Sequence, residues 1–148
     1  MEFIKASSLY SLNKSTYVNL RWIAYIGQLS TILFVQFYLK YSFDYFFCIS
    51  IVFIGILTNL FLHFKIKENQ LDNNASTIYL LFDIFQIGSL FFLTGGITNP
   101  FIFLIIIPAV FSSQYLHFLS SIILVTIITI ILIFLSFFYY DLPHPGKS

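Results

Sequence analysis

Residues 118–138 read FLSSIILVTIITIILIFLSFF, a run of 21 residues without a charged side chain. An α-helix rises about 1.5 Å per residue, so this run is long enough to cross the roughly 30 Å hydrocarbon core of a bilayer. A helix that is apolar on every side needs apolar surroundings on every side. The stretch therefore predicts a membrane-spanning helix and decides the class of fold.

The composition of the whole chain agrees with this prediction. Of its 148 residues, 59% are hydrophobic and 9% are charged, whereas an ordinary soluble domain carries about 25% charged residues. A soluble protein of this length leaves much of its surface in water, which so few polar side chains cannot cover. The net charge of +1 gives no basic face for a nucleic acid. We therefore predict an all-α, polytopic membrane helix bundle.

Five stretches are apolar and long enough to cross a bilayer or nearly so. Their predicted bounds are 22–39, 45–64, 77–94, 100–115 and 118–138. Together they make a transmembrane domain over 22–142. Residues 1–21 are then an N-terminal segment on one side of the membrane, and residues 143–148 form a C-terminal loop.

The basic residues predict the orientation of the bundle. With five spans, one side receives five of the seven Lys and Arg residues, which are Lys5, Lys14, Arg21, Lys65 and Lys67. Short loops on the cytoplasmic side of a membrane are enriched in Lys and Arg. We therefore expect the N-terminus in the cytoplasm.

Two polar residues, Asp83 and Gln86, lie inside the third predicted span, where a carboxylate is costly. The spacing from Asp83 through Gln86 and Leu90 to Thr94 places all four on one helix face. Hydrogen bonds between helices would explain this stripe. A polar lining for a ligand or a proton path would explain it equally well, and the residues alone leave both interpretations open.

The turn between the third and fourth predicted spans reads GGITNPF. Gly95 and Gly96 allow positive φ and the close approach of another group to the backbone. Asn99 can bond to nearby backbone groups, and Pro100 suits the first turn of a helix. Phe101 adds an aromatic face. The turn is either a connector or a place where a planar head group docks.

The remaining candidates for chemistry predict structural roles. Cys48 is a single thiol in an apolar run, so it forms neither an intrachain disulfide nor a multi-cysteine metal site. His63, His117 and His144 lie on different elements, and we predict no metal site. Pro108 predicts a kink in the fourth span. No phosphate-binding loop or nucleophile arrangement is found, so we predict no catalytic residue.

The sequence resembles a known family in this region. LFDIFQ at residues 81–86, followed by LTGGITNPF at 93–101, is similar to the sensor region of the RegB/PrrB-type redox-sensing histidine kinases. The hallmark of that family is a GGxxNPF heptapeptide between its third and fourth membrane helices. LRWIA at residues 20–24 also resembles the family's opening helix. The resemblance covers residues 20–143.

The resemblance implies a homodimeric sensor in the inner membrane of a bacterium, with six membrane helices and a cytoplasmic kinase core. Ubiquinone would bind near the heptapeptide, and its redox state would control autophosphorylation and a downstream response regulator. The quinone site carried over from the family is Gly95, Gly96, Asn99, Pro100 and Phe101. Helical spacing adds a possible polar lining, which is Asp83, Gln86 and Thr94.

The chain departs from the family pattern because it contains no sixth span, no phosphoacceptor histidine region and no ATP-binding domain. We therefore expect it to be the sensor part of a longer kinase. Two other functions remain open. The chain is a piece of a transporter or channel if Asp83 and Gln86 line a pathway, or a structural membrane subunit if they only join helices.

Overall fold

A computed structural model of the chain describes residues 12–67, 70–139 and 144–145. Within these residues the backbone forms five α-helices, which are α1 (Lys14–Leu33), α2 (Tyr45–Lys65), α3 (Asn73–Leu93), α4 (Ile107–Tyr115) and α5 (Phe118–Phe137). The described residues also form four strands of two residues each outside the helices. They are β1 (Leu12–Asn13), β2 (Tyr41–Ser42), β3 (Gln70–Leu71) and β4 (His144–Pro145). The predicted segments 1–21 and 143–148 lie partly outside the described residues.

Three helices begin at side chains that cap them. The side chains of Asn13 and Asp72 accept hydrogen bonds from the third backbone N–H of α1 and α3, at 3.1 and 2.7 Å. The ring of His117 accepts one from the second N–H of α5, at 3.1 Å. These bonds satisfy N–H groups that a helix cannot pair within itself. The polar residues just before each apolar run therefore set the helix starts.

The first helix is longer than the predicted span 22–39. It begins at Lys14, eight residues earlier, and continues beyond Leu33 as a π-helical turn, Phe34–Tyr38. The predicted start is corrected because Asn13 caps the helix and because the charge of Arg21 lies inside the bundle. The third helix also begins four residues before the predicted residue 77.

The fourth predicted span, 100–115, is a composite. A 3-10 helix, Ile102–Ile106, runs directly into α4. Four helices of the described residues are long and apolar enough to cross a membrane, and this segment is shorter than they are. Pro108 lies in the first turn of α4. Pro108 thus follows the junction between the two kinds of helix, where a missing N–H costs little, and the kink itself stays a prediction.

The strand pairs define the two ends of the bundle. β1 pairs with β3, so the starts of α1 and α3 lie at one end, and β2 pairs with β4, so the α1–α2 loop and the chain after α5 lie at the other. The His117 N–H donates to Asn73 Oδ1 at 2.8 Å, which places the α4–α5 junction beside the start of α3. The chain therefore runs the length of the bundle five times.

Apolar packing holds this arrangement together. Leu80 and Ile84 of α3 pack in one core with Leu124 and Ile128 of α5. Large apolar side chains also cover the outside of every long helix, with Phe46 69% and Phe137 76% exposed. Such a surface suits contact with lipid chains rather than with water. The prediction of an all-α membrane helix bundle is confirmed.

Candidate functional site

A buried ion pair joins α1 to α3 within the apolar part of the bundle. Arg21 of α1 is 4% exposed, and its Nη2 lies 2.9 Å from Oδ1 of Asp83, which is 17% exposed. The hydroxyl of Tyr17 donates to the other carboxylate oxygen of Asp83. Charges among membrane helices are costly unless they are paired. The partner of Asp83 is therefore the arginine of the first helix.

Arg21 also binds α2. Its Nη2 donates to the hydroxyls of Tyr25, at 2.7 Å, and of Thr58, at 2.9 Å. Its Nε and Nη1 are buried and make no hydrogen bond with the described residues. Four rings lie 5.4 to 5.8 Å from the guanidinium carbon, those of Tyr17, Tyr25, Tyr79 and Phe82. Cation–π attraction to these rings stabilises the buried cation.

A pair of amides forms a second polar link between α1 and α3. Gln86 Nε2 donates to Gln28 Oε1 at 2.8 Å, and Gln28 Nε2 donates back to Gln86 Oε1 at 3.4 Å. Each side-chain amide carries two N–H groups. This reciprocal pair uses one from each residue, so each amide keeps a second N–H for another acceptor.

A cleft of about 120 Å³ lies beside these groups, between α1, α3 and α4. Its polar side chains are those of the two links, which are Tyr17, Arg21, Tyr25, Gln28, Asp83 and Gln86. The side of the cleft formed by α4 is apolar and includes Ile107, Pro108 and Phe111. The cleft thus combines a small polar patch with apolar walls, which is the usual make-up of a small-molecule site.

The GGITNPF turn forms a separate unit. Asn99 Nδ2 donates to the Thr94 carbonyl at 2.9 Å, and its Oδ1 accepts from the Phe101 N–H at 2.8 Å. Gly95 and Gly96 have φ of 102° and 54°. A Cβ on Gly96 would lie 2.5 Å from the Cβ of Tyr139, just past the end of α5. The turn therefore needs Gly95 for its positive φ, and it needs Gly96 both for its positive φ and for its close contact with the end of α5.

The structure divides the predicted site residues into two groups. Asp83 and Gln86 line the cleft with the polar side chains of α1. Thr94 does not line the cleft. Its hydroxyl donates to the Leu90 carbonyl at 2.6 Å and accepts from Asn99. The five heptapeptide residues lie in the turn; Gly95, Gly96 and Asn99 are buried there, and Pro100 and Phe101 are exposed.

The sequence prediction missed the half of the polar cluster that α1 supplies. Tyr17, Arg21, Tyr25 and Gln28 are spaced by 4, 4 and 3 residues, which places them on one face of a helix. The signal was therefore present, but the predicted span began at residue 22 and excluded the first two of them. Gln28 was predicted to pack and to form hydrogen bonds between helices, and its bonds to Gln86 confirm this prediction.

Comparison with known proteins identifies the family. The sequence model of the protein family described as the PilS-like transmembrane domain matches residues 20–147 of the chain. The chain belongs to this family. It is also 34% identical over 128 residues, 86% of its length, to the sensor histidine kinase RegB of Cereibacter sphaeroides. No solved structure matches the chain.

The predicted resemblance to RegB-type sensor kinases is confirmed, and this PilS-like domain is a membrane domain of that type. A multi-pass location in the bacterial inner membrane is confirmed with it. The matched residues span 28% of the length of RegB. The family match over residues 20–147 includes the GGITNPF turn and every residue that lines the cleft except Tyr17.

Proposed function

We propose that this PilS-like domain senses the redox state of a membrane quinone, ubiquinone, for a histidine kinase. In this proposal the kinase is a homodimer that phosphorylates a response regulator according to the state of the sensor. Similarity to a sensor histidine kinase supports the signalling part. The heptapeptide resemblance supports the choice of ligand.

The buried polar cluster is the observation that carries the proposal. Apolar side chains would join α1 to α3 at a lower cost in free energy than an ion pair and an amide pair, because burying polar groups in a membrane interior is unfavourable. The cluster also borders a cleft whose rim residues Leu20 and Ile107 are 37% and 45% exposed on the lipid-facing surface. A ligand dissolved in the bilayer reaches such a cleft without passing through water.

The same cluster argues against a transport pathway. Asp83 is the only carboxylate within the five helices, and Arg21 and Tyr17 already engage both of its oxygens. A carboxylate that carries an ion or a proton along a pathway must release one partner and take another. A neutral ligand beside a neutralised pair fits the arrangement better.

Signalling needs only a difference in ligand affinity between two arrangements of the helices. The cleft lies between α1, α3 and α4, so a ligand bound there would contact all three elements. In our proposal the oxidised and reduced head groups favour different packings of these helices. The kinase core reads the difference.

Binding to the chain in nanodiscs tests the proposal. Trp22 is the single tryptophan, and it packs against the core that contains Tyr17 and Leu80, two residues of the cleft, so its fluorescence reports on this part of the bundle. We expect saturable quenching by ubiquinone. A polyprenol of similar length has the same kind of tail but no carbonyl groups, and it should quench far less. Equal quenching by the two compounds, or none by ubiquinone, would overturn the proposed function.

A further inference from the structure

We infer that residues 102–106 form a joint in the fourth segment, which Pro108 holds in 3-10 geometry and whose conversion to α-helix moves the α4 wall of the cleft relative to the GGITNPF turn. The joint is a conformational device of the backbone. It therefore does not depend on which ligand the domain binds, or on where that ligand lies.

The backbone between the turn and α4 is hydrogen-bonded as a 3-10 helix. The N–H groups of Ile102 and Leu104 donate to the carbonyls three residues earlier, at 3.1 and 3.0 Å. The Ile107 N–H closes the series on the Leu104 carbonyl. At Ile106 ψ is −11°, whereas an α-helix has ψ of about −42°. Runs of 3-10 helix longer than three or four residues are uncommon, so this run of five residues needs a local cause.

Pro108 is that cause. A proline has no N–H to donate, and inside an α-helix its ring collides with the carbonyl four residues earlier. For Pro108 this is the carbonyl of Leu104. In the structure that carbonyl accepts from Ile107 instead, so the 3-10 turn gives it a partner that an α-helix could not. Beyond the proline no such obstacle exists, and α4 continues as an α-helix to Tyr115.

Both geometries are compatible with the bilayer. Residues 102–106 read IFLII and carry no polar side chain. A 3-10 helix and an α-helix each pair the backbone groups within the segment, so neither form exposes them to lipid. Changing five residues from a rise of about 2.0 to about 1.5 Å shortens the segment by about 2.5 Å and rotates one end against the other by about 100°. The same residues therefore offer two lengths.

A change in the length of the joint reaches the cleft because the turn is held at its other side. Gly96 of the turn packs closely against the chain just past the end of α5. The polar link between α4 and α5 is a pair of hydroxyls, Ser112 and Ser121, at 2.8 Å. Ile107 and Phe111 lie beyond the joint and line the cleft. A shorter joint would draw this wall towards the turn and change the shape of the cleft.

Restoring the missing N–H tests the joint. In Pro108→Ala the ring is absent and the new N–H can donate to the Leu104 carbonyl, so we expect residues 102–106 to become α-helical. NMR distinguishes the two forms in the isotope-labelled chain in nanodiscs. A 3-10 helix gives nuclear Overhauser effects between an Hα and the N–H two residues later, and an α-helix gives them to the N–H four residues later. Val110→Ala changes an exposed α4 residue outside the cleft and should keep the 3-10 pattern.

A distance between spin labels shows whether α4 moves. Gln114→Cys on α4 and Phe137→Cys at the end of α5 place labels at exposed positions near opposite ends of the bundle, in a Cys48→Ala background. Pro108→Ala should shorten the distance between these labels by about 2 Å. Labels at Leu119→Cys and Phe137→Cys lie on the same helix, α5, and their distance should not change.

Three results would overturn the inference. The first is an α-helical pattern at residues 102–106 in the unmodified chain, and the second is a 3-10 pattern that persists in Pro108→Ala. The third is conversion to α-helix without a change in the distance between residues 114 and 137. If Pro108→Ala does not fold, Pro108→Ser restores the same N–H, and the same expected and contradicting results apply to it.

Discussion

At the scale of single residues, Arg21 organises the membrane interior of this domain. One guanidinium nitrogen contacts Asp83 of α3, Thr58 of α2 and Tyr25 of its own helix. A cation placed this deep must find compensation from the protein, because lipid supplies none. The carboxylate and the surrounding rings supply it, so the three helices depend on one another through this side chain.

Removing the negative charge tests that dependence. Asp83→Asn leaves the buried Arg21 without its counterion, and we expect a loss of about 3 kcal/mol or more in the free energy of unfolding. Unfolding of the purified domain in mixed micelles with increasing SDS measures the change.

The double variant Arg21→Gln/Asp83→Asn is the control, because it removes both charges together. It should be more stable than Asp83→Asn alone, since no unpaired charge remains. If the single variant were as stable as the unmodified chain, the ion pair would not hold α1 to α3.

The sequence predicted one side of this cluster and not the other. Asp83 and Gln86 were recognisable because they interrupt an apolar run, and polar residues inside a span must face the bundle or a partner. Arg21 stands at the edge of its apolar run, where a basic residue is ordinary at a membrane surface. Only the packing of α1 on α3 shows that the two charges, 62 residues apart, meet.

At the scale of elements, glycines let helices approach closely. A Cβ on Gly55 of α2 would lie 2.6 Å from the ring of Tyr25 on α1. Small residues at such crossings are a common device in membrane bundles, since they allow closer van der Waals contact. Here the close approach also holds the Tyr25 hydroxyl against Arg21.

Gly55→Ala should therefore loosen the α1–α2 contact. The added methyl group overlaps a buried ring, and we expect a loss of about 1–3 kcal/mol in unfolding free energy. Gly27→Ala makes the same change on α1, where a Cβ meets nothing within 4 Å. That control should be neutral or slightly stabilising, because alanine favours a helix more than glycine does. Equal losses in the two variants would show that the crossing is not tightly packed.

Helix bounds were predictable where composition changes sharply. The observed α2 and α5 differ from the predicted spans by one residue at one end, because polar residues flank uniformly apolar runs. The bounds of α1 and of the fourth segment were not predictable in this way. The start of α1 is amphipathic, and its polar face is buried against α2 and α3. The fourth segment changes from 3-10 to α-helix, which hydropathy does not distinguish.

At the scale of the whole molecule, two strand pairs fix which loops share a membrane face. β1–β3 brings the start of α1 to the α2–α3 connection, and β2–β4 brings the α1–α2 loop to the chain after α5. Lys65 and Lys67 lie at the first end and Lys40 at the second. The excess of basic residues at the first end predicts that it faces the cytoplasm.

Cysteine labelling checks this orientation. Lys40→Cys should react with a membrane-impermeant maleimide in intact spheroplasts, and Lys67→Cys should react only after permeabilisation. The natural Cys48 is fully buried and should contribute little background. The reverse pattern would invert the predicted topology.

The sensor family could be recognised from the sequence because the heptapeptide is a contiguous pattern. A cleft built from three helices has no such pattern, because its residues are scattered from Tyr17 to Phe111. The heptapeptide directed the ligand prediction to the turn, in which Gly96 packs against Tyr139 and Asn99 bonds to Thr94. The cleft became visible only when the helices were assembled.

The short fourth segment has a consequence for the surrounding lipid. Its 3-10 and α-helical parts, Ile102–Ile106 and Ile107–Tyr115, span only about 24 Å at 2.0 and 1.5 Å per residue, against a hydrocarbon thickness of about 30 Å. Such hydrophobic mismatch is relieved by local thinning of the bilayer. Where the bilayer thins beside this segment, the thinned region borders the α4 side of the cleft, and the acyl chains there are shorter than those beside the four longer helices.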